Sequence, residues 1–179
     1  MPTSSSSRRW TTNRARRISA VVWDLRALLN SRETLAESVR ELIPAFTTAT
    51  ESVDLRADHP YEYASLYAEL GALALLAGAA EAGESLLARA VEIDERQPAA
   101  ETWLVLAQIA QGDGATGTMP SVVDEARDPL WTISGGIDTA GVVNLMLGEI
   151  DTFTERFPEH NDAVADFRTM LEGVETETT

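Results

Sequence analysis

Apolar residues recur at three- and four-residue steps along almost the whole chain, and nowhere do apolar and polar residues alternate for long enough to make a strand. The spacing predicts an all-α protein of about seven to eight helices. Ile18, Val22, Leu25 and Leu29 share one face of a first helix over residues 14–29, and Asn30 and Glu33 have the spacing of a capping box for the next. That second helix carries Leu35, Val39, Leu42, Ile43 and Phe46, with Pro44 either bending it or ending its regular hydrogen bonding one turn early. Residues 47–59 have no apolar period and read as a loop. Pro60 suits the first turn of a third helix, where its missing N–H is harmless, and Tyr67, Leu70, Leu73 and Leu76 continue it as far as Gly78.

A fourth helix over residues 80–94 buries Leu86, Leu87, Ala90, Val91 and Ile93, and Pro98 opens a fifth through Trp103, Leu106, Ala107 and Ala110. Gly112 ends it. Residues 112–137 are rich in glycine and proline and read as an insertion in which residues 121–126 alone suit a short helix. Asp138 can cap the next helix, through Val143, Met146, Leu147, Ile150 and Phe153, which Pro158 stops. The last, over residues 161–171, presents Val164, Phe167, Met170 and Leu171. The expected organisation is an arm over residues 1–13, one helical domain over 14–172, and an acidic, disordered tail over 173–179.

Paired short helices invite a search for repeats, and residues 67–98 supply one. Tyr67, Leu70, Gly71 and Ala74, the turn at Gly78, and then Gly83, Leu87 and Ala90 resemble a tetratricopeptide repeat (TPR), with small residues where paired helices touch and a large one between repeats. Gly83 stands where the family usually has Ala, and Glu95 where it has a closing proline. Trp103, Leu106, Ala107 and Ala110 resemble half of a second repeat, and Leu147 and Gly148 with Ala163, Phe167 and Met170 a looser third. The resemblance implies a short helical solenoid or bundle. It also implies a partner groove on Ser65, Ala68, Ala72, Leu75 and Leu76, small and apolar, suited to an apolar helical or extended segment or to a second copy of the chain. The family's clamp for acidic peptide tails needs cations that these positions lack.

Charge sharpens this picture. The chain has 29 acidic residues against 14 basic ones, for a net charge of −15, and every basic residue is Arg. Such a composition resembles proteins of halophiles, haloarchaea or their viruses, where salt screens self-repulsion. GC-rich coding is the alternative source of Arg in place of Lys. Arg8, Arg9, Arg14, Arg16 and Arg17 lie in an acid-free start of 23 residues, so that start carries +5 and the remainder −20. This basic arm could meet nucleic acid, an anionic lipid surface, the acidic face of a partner or sister subunit, or the chain's own acids.

Ser7, Arg8 and Arg9 superficially match a twin-arginine leader, but Asp24 and Arg26 interrupt the apolar run that a leader needs. No stretch approaches the roughly 18 apolar residues of a membrane span. The expected setting is therefore soluble and cytoplasmic, or a virion.

Chemistry-bearing residues are sparse. The absence of Cys excludes thiolate catalysis and cysteine-bound metals, and His59 and His160 are the two imidazoles. His59, Glu62, Tyr61, Tyr63 and Tyr67 gather at one helix start, a grouping that serves packing more readily than proton transfer. Glu159, His160 and Asp162 fit a helix N-terminus whose acids suit its dipole. Trp131, alone in the insertion, is either an anchor or an exposed partner contact. Gly112 to Gly117 lacks the Lys of a phosphate loop.

The expectation is a non-catalytic interaction or assembly module needing no cofactor or metal, with a structural component such as a virion connector as the alternative and a small helical enzyme using His59 and Glu62 as a lower third. If the −20 body is adapted to salt, the thermal midpoint should climb between about 0.1 M and about 2 M salt, followed by circular dichroism; a flat profile would contradict that adaptation.

Overall fold

The contact that sets the architecture lies between two glycines. In the computed structural model, which describes residues 32–50, 60–112, 120–126 and 138–177, helices α2 (Pro60–Leu76) and α3 (Ala80–Ile93) approach until their backbones touch at Gly71 and Gly83. A Cβ on Gly71 would stand 2.6 Å from Leu87 Cγ, and one on Gly83 would stand 2.9 Å from the Gly71 carbonyl oxygen. Real side chains do not come so close, so both positions require glycine.

The turn between the two helices is equally determined. Gly78 has φ +86°, in the left-handed region that L side chains avoid. There the Gly78 N–H donates to the Leu75 carbonyl and the Ala79 N–H to the Ala74 carbonyl, both at 2.8 Å, which is the double bond pattern of a Schellman cap. Only Ala77, Gly78 and Ala79 separate the helices.

The second half of α2 is apolar on every side, and every residue from Leu70 to Leu76 is buried. A helix of that kind belongs inside a domain rather than on its surface. Around it pack α1 (Arg32–Thr50), α3 and α4 (Pro98–Gln111). α4 packs in turn against α3 and α6 (Thr139–Arg156), and α6 against α7 (Asn161–Glu177). A short helix, α5 (Ser121–Ala126), sits on α4 and α6. The described residues form an all-helical bundle without strands, and no helix among them is long and apolar enough to cross a membrane.

Most starts and stops follow the local chemistry of the sequence. Pro60 and Pro98 begin their helices, and Asp138 Oδ1 accepts from the Gly141 N–H at 2.8 Å to cap α6. Gly112, with φ +86°, closes α4. Two ends differ from expectation. α1 passes through Pro44 and continues to Thr50, because Phe46 and Thr50 are buried and the Thr47 and Thr50 hydroxyls bond back to the carbonyls of Ile43 and Phe46. Residues 47–50 are therefore helix and not loop. α7 runs to Glu177 where fraying was expected beyond Gly173, because buried Val174 extends the stripe of Val164, Phe167 and Leu171 by one more turn. The expected first helix over residues 14–29, its following capping box and the basic arm lie outside the described residues.

The two kinds of helical glycine separate in a denaturation experiment. Gly71→Ala and Gly83→Ala should each cost about 1–3 kcal/mol through overpacking. Gly148 in α6 has open space where a Cβ would stand, so Gly148→Ala should add about 0.5–1 kcal/mol by helix propensity alone. Urea midpoints at constant m-value would show both signs.

Candidate interaction surface

The row expected to line a groove lies on α2, and the structure buries most of it. Ala68 and Ala72 are each 4% exposed, Leu75 1% and Leu76 3%, while Ser65 is half-buried. In this conformation the row is therefore closed, and a guest would have to displace what covers it. Its far end is held by Arg156 from the last turn of α6, whose Nε donates to the Leu76 carbonyl at 3.4 Å.

The aromatic group at the start of α2 is divided between inside and outside. Tyr61 is 64% exposed, whereas Tyr63 and Tyr67 are buried. Tyr67 meets Phe46 of α1 edge to face, with ring centroids 4.6 Å apart, and its hydroxyl lies 2.8 Å from Thr50 Oγ1. Thr50 has one hydroxyl proton and two carbonyls in reach, those of Phe46 at 3.1 Å and Thr47 at 3.0 Å. Tyr67 is thus the donor to Thr50, and this is how α1 is registered on α2. Glu62 is exposed in the first turn of α2, and His59 and Trp131 lie outside the described residues.

At the other end of the bundle, α4 and α6 are joined through a tryptophan. Trp103 Nε1 donates to Glu149 Oε2 at 2.8 Å, and its ring stands 6.3 Å from Phe153, edge to face. Phe153 in turn neighbours Phe157 at 5.2 Å and His160 at 5.7 Å. His160 therefore stacks within an aromatic cluster, while Glu159 and Asp162 face outward at the start of α7. Buried Glu101 on α4 accepts from the Ser121 hydroxyl at 2.5 Å, fastening α5 to α4. Neither Glu101 nor Arg156 carries a sequence signal of its own, since their partners lie 20 and 80 residues away.

Among exposed positions, the first turns of α6 stand out for lacking charge. Ala140, Asn144, Leu145 and Gly148 face solvent there, with Leu145 38% exposed, and acids return at Asp151 and Glu155. Gly148 occupies the place in the looser third match that Gly71 holds in the good one, yet it abuts nothing. Helix α7 turns exposed Asp162, Asp166 and Glu172 outward, and its Arg168 bonds Asp151 of α6 at 2.6 Å. Arg89 bonds Glu92 one turn on, which raises the arginine's pKa further; both side chains are largely in solvent, where such a pair contributes little. Among the described residues, no three His, Asp or Glu side chains come together as metal ligands would.

No protein-family model matches this sequence, and no curated protein or solved structure matches it either.

Tyr67→Phe keeps the ring against Phe46 and removes the donor to Thr50, together with the hydroxyl's interaction with Arg89 of α3. It should lower stability by about 0.5–1.5 kcal/mol in urea denaturation, with loosening greatest in α1 in amide exchange.

Proposed function

We propose that this chain is a non-catalytic interaction or assembly module, built on helical hairpins in the manner of a short TPR-like solenoid. The observation that carries the reading is the order of helix packing. α2 is paired with α3 through mutual glycines and a Schellman turn, α4 packs against both α2 and α6, and α6 is paired with α7. A solenoid of stacked helix pairs with this order would place α2, α4 and α6 in one layer and α3 and α7 behind it, which is how such stacks create a binding face. The polar outer side of α7 suits a closing cap for such a stack.

On that reading the face carries Ser65, Ala68, Ala72 and Leu76 of the expected row, whereas Leu75 packs against Gly83 of α3. Small side chains there let a guest backbone approach closely, and the guest such a lining favours is an apolar helical or extended segment. The row is closed apart from half-buried Ser65, so a guest would enter at that end and displace what covers the rest. The −20 body disfavours nucleic acid over most of the surface and leaves the five arginines of the arm as the contact for it.

A second reading rests on that charge asymmetry: a structural component of a larger assembly, cytoplasmic or virion-borne, whose arm lies against DNA or an acidic neighbouring subunit. The two readings differ in what holds the complex together. The mass of native complexes, isolated at the salt of the source cells with the full chain and with a chain lacking residues 1–17, decides between them. A module binding through its groove keeps its protein partner after nuclease treatment and after loss of the arm, and loses it with Ser65→Arg at the half-exposed end of the row. Dissociation on nuclease treatment or arm removal, with Ser65→Arg silent, would establish the second reading instead.

A further inference from the structure

We draw no further inference here: the strongest candidate, the uncharged surface patch that Ala140, Asn144, Leu145 and Gly148 expose on the first turns of α6, is an unpartnered helix face, and nothing in the structure shows what covers it.

Discussion

Everything in this bundle is arranged around a backbone contact in which two helices touch without side chains between them. Gly71 and Gly83 bring α2 and α3 closer than any pair bearing Cβ atoms there could come, and Leu87 fills the space beside Gly71. The three-residue turn at Gly78 can be that short because the helices it joins are that near. With α3 so tightly applied to one flank, α2 keeps its other flanks for α1 and α4. A helix whose second half is wholly apolar then becomes the axis of the domain, since water has no side from which to reach its last two turns.

The same contact explains a departure from the repeat pattern. Where the family usually has Ala, this chain has Gly83, and the Gly71 carbonyl oxygen 2.9 Å from its would-be Cβ leaves no space for a methyl group. Two glycines facing each other allow a shorter separation than one glycine facing an alanine. By contrast Gly148 has no neighbour to accommodate, so equal spacing in the sequence does not imply equal packing.

Helix type and most boundaries were legible in the sequence because the signals are local. Pro60, Gly78, Pro98, Gly112 and Asp138 each act within one turn of the place they mark. The extension of α1 past Pro44 was not legible, because it depends on Phe46 and Thr50 finding Tyr67, 17 residues beyond Thr50. The extension of α7 depends on one valine, Val174, set among Glu and Thr residues whose composition suggests fraying. The row on α2 could be placed by its spacing from Tyr67, but the contact at its end could not, since Arg156 reaches Leu76 from 80 residues away. Distances of that order are a property of the folded chain and leave no period to read.

The glycine-rich connection from α4 to α6 would be a single long tether, were it not fastened at its middle. Val123 is fully buried, and the Ser121 hydroxyl is held by Glu101. Closing two short connections across an anchored helix constrains the chain far more tightly than closing one long one, because the ends of each have little distance to wander. A protease cutting between α4 and α5, or between α5 and α6, would therefore release no fragment: α5 would stay seated on α4 and α6, and the nicked chain would still travel as one particle.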